Sequence, residues 1–219
     1  MNFNKHLELR GKHAPLGASR YHWINDTDDQ IVKRICAQYA SEVGTLIHDY
    51  ACERVSFRLK MNRNEKKDVI LELLRHGIPR VVIDELDMNT IYDNLVNYVN
   101  DCIGYRMSPE VKLVYSEICF GTCDAIAFYE KEKFLRIHDL KTGTMPGHME
   151  QLLIYAALFC LEYRVKPIDI QCELRIYQNG EIVTLEPTAN DILDIIGIIK
   201  EKNKAGERFL FAYDAGEEE

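Results

Sequence analysis

The spacing of apolar side chains predicts a mainly helical first half of the chain. Apolar or small residues recur every three or four positions in residues 42–58, which indicates an amphipathic helix. A capping residue at Asp26 and the pattern after it predict a further helix over residues 27–40, behind an irregular lead-in with a short helix near Ser19. Helices are also predicted over residues 64–75 and 89–106.

After Pro109, alternation of apolar and polar residues replaces the helical period and predicts strands. The predicted strands are residues 111–115, 123–129, 134–141, 169–177 and 181–185. Gly121 is predicted to end the first strand, and Asn179-Gly180 to form the tight turn between the last two. Helices are predicted over residues 150–163 and 188–204.

This order of elements predicts one α/β domain over residues 1–219, with a mixed central sheet flanked by helices. Its parts are a mainly helical N-terminal part (1–108), an α/β core (109–208) and an acidic tail (209–219). With 47% hydrophobic and 28% charged residues, the composition is that of an ordinary soluble globular protein. Neither a signal peptide nor a membrane span is expected, so the expected location is the cytoplasm.

Charge and cysteine usage narrow the function classes. The net charge of −8 counts against a protein that coats DNA, but not against an enzyme that gathers carboxylates around cations. A basic stretch over residues 54–67 is either a solvated helix face or a phosphate-contacting face. The seven cysteines are irregularly spaced and include no C-x-x-C pair, which argues against a disulfide framework and a zinc module.

The candidate chemistry lies in two predicted strands. Asp124 stands at the start of one, and Asp139 and Lys141 project from the same face at the end of the next. If these strands pair, two carboxylates and an ammonium converge. Carboxylates hold Mg²⁺ or Mn²⁺, with the backbone carbonyl of Leu140 as a further ligand, and such ions promote phosphodiester hydrolysis. The lysine would then orient the attacking water or stabilise developing charge.

The alternative is that Asp139 and Lys141 form an ordinary surface Asp-x-Lys in a hairpin. Phe134, Leu135 and Ile137 are apolar and therefore indicate a central strand. A polar cluster at the end of a central strand is costly unless its members are paired or bound to a metal.

Several motifs occur in a specific order between residues 13 and 177. They are the lead-in His13 to Arg20 (HAPLGASR), Glu42 to His48 (EVGTLIH), Gly121 to Asp124 (GTCD), Asp139 to Gly143 (DLKTG), and Gln151 with Tyr155. Together they resemble the PD-(D/E)XK nuclease superfamily, and more narrowly its RecB-like branch, which includes phage and CRISPR-associated exonucleases. The resemblance implies a restriction-endonuclease-like core. No cysteine follows Cys172 and no P-loop is present, so neither an iron–sulfur cluster nor a helicase motor is expected.

The resemblance also implies roles for individual residues. His48 would bind the metal together with Asp124 and Asp139, although a lone helical histidine is more often a packed or surface residue. Gln151 and Tyr155 share one helix face. The resemblance implies that they stand near the scissile strand or brace Lys141, and the alternative is a capping glutamine and a core tyrosine.

Two further acidic residues are candidates with a less defined place. Glu117 precedes Asp124 by seven residues and would add a carboxylate. Glu42 lies one or two turns before His48 and either contributes to the site or only supports the helix.

The expected function is a metal-dependent DNA exonuclease that acts at duplex ends or on single strands, in recombination, repair or replication. The resemblance further suggests a phage origin and a recombination or single-strand-binding protein as partner. Two alternatives remain open: a structure-specific endonuclease or nickase, and a non-catalytic DNA-binding protein on a nuclease fold.

Overall fold

The computed structural model describes residues 3–11 and 13–211. The chain forms two compact units, Met1–Val43 and Gly44–Glu219. The α-helices in the described part are α1 (Asp28–Ser56), α2 (Lys66–Arg75), α3 (Arg80–Glu85), α4 (Met88–Gly104), α5 (Met149–Glu162) and α6 (Ala189–Phe211). The strands are β1 (Ser108–Ser116), β2 (Cys119–Tyr129), β3 (Phe134–Leu140), β4 (Gln171–Gln178) and β5 (Glu181–Leu185).

The five strands form one mixed sheet in the order β1-β2-β3-β4-β5. Three of the four strand pairs are antiparallel, whereas β3 and β4 are parallel and are connected through α5. The parallel pair requires this crossover, because a hairpin turn can join only antiparallel strands. The predicted α/β class, with a mixed sheet flanked by helices, is confirmed.

Helices cover both faces of the sheet. Leu135 and Ile137 of β3 are fully buried among residues of α5 and α6, in the main apolar cluster. The alternate residue His138 points to the opposite face, where it meets Cys102 of α4. The central position that the apolar residues of this strand predicted is therefore confirmed, and it puts the end of β3 in the interior of the unit.

The structure differs from the predictions in four places. The helices predicted over residues 27–40 and 42–58 are one helix, α1 (Asp28–Ser56), because residues 40–42 include no glycine or proline that would interrupt it. The N-cap of α4 is Asp87 rather than Asn89, since its carboxylate accepts hydrogen bonds from the first turn.

The other two differences concern a glycine and a proline that were predicted to end elements. Gly121 does not end β1 but lies inside β2, and the turn between these strands falls at residues 117–118. The helix α3 was not predicted, because Pro79 indicated a break although proline is well tolerated immediately before a first helical turn.

The N-terminal unit contains the predicted short helix, a 3₁₀ segment over Ala18–Asn25. Within it, the indole Nε1 of Trp23 donates a hydrogen bond to the Gly17 carbonyl at 3.1 Å. The Arg34 guanidinium forms an ion pair with Asp26 at 2.6 Å. Most of the predicted acidic tail, residues 212–219, lies outside the described residues.

None of the helices found in residues 3–11 and 13–211 combines the length and the apolarity that a bilayer crossing requires.

Candidate metal centre

Asp124 and Asp139 lie on neighbouring antiparallel strands. Ala125 of β2 pairs with His138 of β3, and the same register places the two aspartates opposite each other. The backbone N–H of Leu140 donates a 2.8 Å hydrogen bond to Asp124 Oδ2. The predicted convergence of the two carboxylates depended on the pairing of β2 with β3, and this pairing is present.

A histidine and a second acidic residue stand beside Asp124. His48, on α1, places Nδ1 3.4 Å from Asp124 Oδ2. Potential ligand atoms of His48, Glu110 and Asp124 all lie within 4.8 Å of one another. One imidazole nitrogen and two carboxylates from three separate elements can thus reach a common point.

Glu110 is the member of this group that the sequence did not indicate. Its neighbours Pro109 and Val111 pair with Ala125 and Cys123 of β2. Glu110 on β1 therefore lies opposite Asp124 on β2. Its φ is +50°, in the left-handed region that costs a residue other than glycine about 1–3 kcal/mol. The side chain is exposed, and the unusual backbone lies where the carboxylate meets His48 and Asp124, the other two candidate ligands.

Lys141 is held from two sides. Its Nζ lies 2.9 Å from Oδ2 and 3.1 Å from Oδ1 of Asp139, and it donates a 3.1 Å hydrogen bond to Gln151 Oε1 on α5. The shorter contact, with Oδ2, is an ion pair, and no other described residue donates a hydrogen bond to this buried oxygen. Asp139 therefore retains lone pairs that a further electrophile could use.

A chain of hydrogen bonds continues from Gln151 to the backbone of β2. Gln151 Nε2 donates to the Tyr155 hydroxyl at 3.2 Å, and that hydroxyl donates to the Thr122 carbonyl at 2.7 Å. The Tyr155 ring lies so close to Gly121 that a Cβ there would come within 2.9 Å of Cε1. The glycine of the G-x-x-D motif is thus needed for close approach, and the tyrosine links α5 to the strand that carries Asp124.

The buried Asp139 and the half-buried Asp124 are costly to ionise. Desolvation raises the pKa of Asp124 above its ordinary value, against the opposing hydrogen bond from Leu140 and the charge of Lys141. The pKa of Asp139 is raised mainly by desolvation and further by the Asp124 charge, while Lys141 lowers it. A bound cation would remove this penalty, because it favours the charged form of both carboxylates.

His48 is suited to act as a ligand. Burial lowers its pKa below the ordinary value of 6.5, although the charges of Asp139 and Glu110 raise it in part. The imidazole is therefore neutral at pH 7, and neutral imidazole is the form that binds metal ions.

The two less defined acidic candidates have different places. Glu117 is exposed in the turn between β1 and β2. Asp124 lies five residue steps along β2 from Cys119, which is next to that turn, and this corresponds to roughly 17 Å. Glu42 is exposed and belongs to the N-terminal unit.

The donor set fits a divalent cation of intermediate hardness. Carboxylate oxygens suit Mg²⁺ and Mn²⁺, and an imidazole nitrogen shifts the preference toward Mn²⁺. The ammonium of Lys141 lies next to the carboxylates but cannot itself be a ligand while protonated.

No family model matches this sequence, and no protein with a curated description matches it.

Proposed function

We propose that this protein is a metal-dependent nuclease that hydrolyses DNA phosphodiester bonds on a core of the PD-(D/E)XK type. The observation that carries the proposal is the convergence of His48, Glu110 and Asp124 beside the Asp139–Lys141 pair. A purely structural Asp-x-Lys would have no need of an imidazole and a further carboxylate from two other elements.

His48, Glu110 and Asp124 would hold the cation, and Asp139 would add an oxygen from the adjacent strand. When bound, a Mg²⁺ or Mn²⁺ ion lowers the pKa of a water molecule and neutralises charge on the phosphate. Mn²⁺ is the expected preference because of the imidazole ligand.

Lys141 would act on the reacting groups themselves. Its ammonium donates hydrogen bonds, so it can orient the attacking water and stabilise the negative charge that develops on phosphorus-bound oxygen. The water oxygen bonds to phosphorus and the bond from phosphorus to one sugar oxygen breaks. A proton from water ends on that oxygen, which leaves one terminal phosphate and one hydroxyl.

The Gln151–Tyr155 chain supports this assignment of roles. An ammonium on a flexible stem loses catalytic power when its position fluctuates, and here two fixed acceptors, Asp139 and Gln151, hold it. The last hydrogen bond of this series, from the Tyr155 hydroxyl to the Thr122 carbonyl, connects the lysine to β2, the strand that carries Asp124.

The test compares three DNA substrates under one set of conditions: end-labelled linear duplex, end-labelled single strand and closed circular plasmid. Each is incubated with Mn²⁺, with Mg²⁺ and with a chelator, and the products are separated by size. We expect Mn²⁺-dependent release of short products from the linear substrates and none with the chelator.

Other outcomes discriminate the alternatives. Cleavage of the closed circular plasmid would show that the activity is that of an endonuclease or nickase rather than an exonuclease. Binding to all three substrates without cleavage under either metal would favour a DNA-binding protein and reject the enzymatic proposal.

A further inference from the structure

A buried glutamine at the end of β4 clamps the loop that follows Lys141. Gln178 is only 7% exposed and uses both ends of its amide. Its Nε2 donates to the carbonyls of Gly143 and Met145, each at 2.6 Å, and its Oε1 accepts from the Gly147 N–H at 2.8 Å. One side chain therefore satisfies three backbone groups of a segment that has no helix or strand of its own.

This loop lies between the two residues that define the position of the lysine ammonium. It begins directly after Lys141 at the end of β3, and it ends at α5, where Gln151 sits in the first turn. At its far end Gly147 packs against the lysine stem, since a Cβ there would lie 3.3 Å from Lys141 Cγ. The same Cβ would lie 3.1 Å from Ile176 Cγ2, so Gly147 fits between the stem and β4.

We propose that Gln178 is a positioning residue for Lys141: it fixes the loop of residues 142–148 so that Gly147 holds the lysine stem and Gln151 meets its ammonium. The effect on catalysis rests on the proposed nuclease function, whereas the fixing of the loop by Gln178 does not depend on it. Gln178 contacts neither Lys141 nor the metal ligands in the hydrogen bonds that the described residues make. Its effect is exerted through the loop.

Glutamine is the residue that this task requires, because it donates twice and accepts at the same time. The isosteric change Gln178→Glu keeps the volume and the acceptor for Gly147 but turns a carboxylate oxygen toward the carbonyls of Gly143 and Met145. The change Gln178→Met keeps the volume and removes all three hydrogen bonds. Both variants should release the loop, and neither opens a large cavity.

The matched control is Asn203→Leu. Asn203 is also a buried amide, 8% exposed, and it bonds to Ser116 and Glu207 between α6 and the end of β1. Its loss removes two partly buried hydrogen bonds, and neither of them involves the 142–148 loop.

The first measurement is hydrogen exchange at the Gly147 amide, which needs no enzymatic activity. We expect slow exchange in the wild type and in Asn203→Leu, and exchange at least about 10-fold faster in both Gln178 variants, because that N–H loses its acceptor or its fixed position. Unchanged protection in the Gln178 variants would overturn the clamp.

The second measurement is cleavage with saturating Mn²⁺. In the Gln178 variants kcat should fall about 10- to 100-fold while KM for DNA and Kd for Mn²⁺ stay within about twofold, since a small misplacement of a catalytic group costs rate rather than binding. Asn203→Leu should keep the wild-type kcat. Faster exchange at Gly147 with an unchanged kcat would overturn the positioning role.

A second variant protects the test against a general folding defect. Gly147→Ala leaves the Gln178 side chain unchanged but pushes a methyl group against Ile176 and the Lys141 stem. It should lower kcat with the Gly147 amide still protected, and a wild-type kcat would contradict the proposed contact. If the wild type itself cleaves no DNA, the proposed function fails, and the exchange measurement still decides whether the clamp exists.

Discussion

The backbone N–H of Leu140 donates a 2.8 Å hydrogen bond to Asp124 Oδ2. A backbone group of one strand thereby fixes the carboxylate of the next and restrains it in a place where ionisation is costly. The Leu140 side chain is fully buried, so the donor itself cannot move away. Asp124 is thus preorganised at the expense of the stability of the metal-free protein.

The change Asp124→Asn should stabilise the metal-free protein at pH 7. The amide oxygen can still accept from the Leu140 N–H, and the desolvated charge is gone. We expect a gain of about 1 kcal/mol in the free energy of unfolding, or roughly 2–4 °C in Tm for a chain of this size. Thermal unfolding with a chelator present measures it, and a lower Tm in the variant would contradict the assigned cost.

The stability of the metal-free wild type should also depend on pH. The native pKa of Asp124 and of Asp139 is raised above the ordinary value of 3.8, so the native state binds these protons more tightly than the unfolded chain does. Their contribution to stability is present at acidic pH and is lost as the pH rises through the raised native pKa.

Denaturant unfolding across pH 5 to 7.5 tests this, with Mn²⁺ in a parallel series. The loss of stability with rising pH should shrink in Asp124→Asn. Mn²⁺ should stabilise most at the upper end of the range, where the carboxylates are ionised. A pH dependence identical in wild type and variant would refute the assignment to this pair.

Glu110→Gln should weaken Mn²⁺ binding about 10- to 100-fold, because one charged ligand of a small set is replaced by a neutral one. Titration calorimetry measures the Kd. Glu117→Gln is the matched control, since it removes the same charge from the same hairpin at the distant turn. Equal affinities in the two variants would exclude Glu110 from the metal site.

Lys141→Ala should lower kcat by about 100- to 1,000-fold while Mn²⁺ still binds, since the proposed role of the ammonium is to donate to the transition state and not to bind the metal. Loss of the neighbouring charge should also raise the pKa of Asp139 further, so the remaining metal binding should require a higher pH. Lys202→Ala, on the exposed face of α6, provides the control. Near-wild-type kcat in Lys141→Ala would remove the lysine from the mechanism.

Tyr155→Phe should separate packing from hydrogen bonding. The ring can stay on Gly121, but the bonds to Gln151 and Thr122 are lost, which costs about 1 kcal/mol of stability and about 3- to 10-fold in kcat. Tyr163→Phe removes an exposed hydroxyl next to the end of the same helix and should change neither. An unaltered kcat in Tyr155→Phe would show that the hydrogen bonds from Gln151 through Tyr155 to Thr122 stabilise the fold but do not contribute to catalysis.

Much of the fold follows from local patterns. Alternation and turn residues located β3, the Asn179-Gly180 hairpin and the crossover helix α5, because each of these has strong short-range signals. The same reasoning placed Asp124 opposite Asp139, since the pairing of β2 with β3 across a tight turn fixes the register.

The remainder depends on contacts between residues distant in sequence. Because Gly121 was predicted to end β1, the turn at residues 117–118 was not predicted. Without that turn the register of β1 with β2, which puts Glu110 opposite Asp124, could not be predicted either. The role of Gly121 itself becomes visible only when the Tyr155 ring lies on it. Gln178 carries no sequence signal, because its three partners lie more than 30 residues away in the chain.

The proposed function requires that acidic groups on paired strands hold a cation that promotes the hydrolysis of DNA. The most direct measurement is the initial rate of Mn²⁺-dependent product release from end-labelled linear DNA by the wild type and by Asp139→Ala, with circular dichroism to show that both are folded. The account predicts cleavage by the wild type and a loss of at least about 1,000-fold in the variant. Equal rates in the two proteins, or no cleavage by the folded wild type, would contradict it.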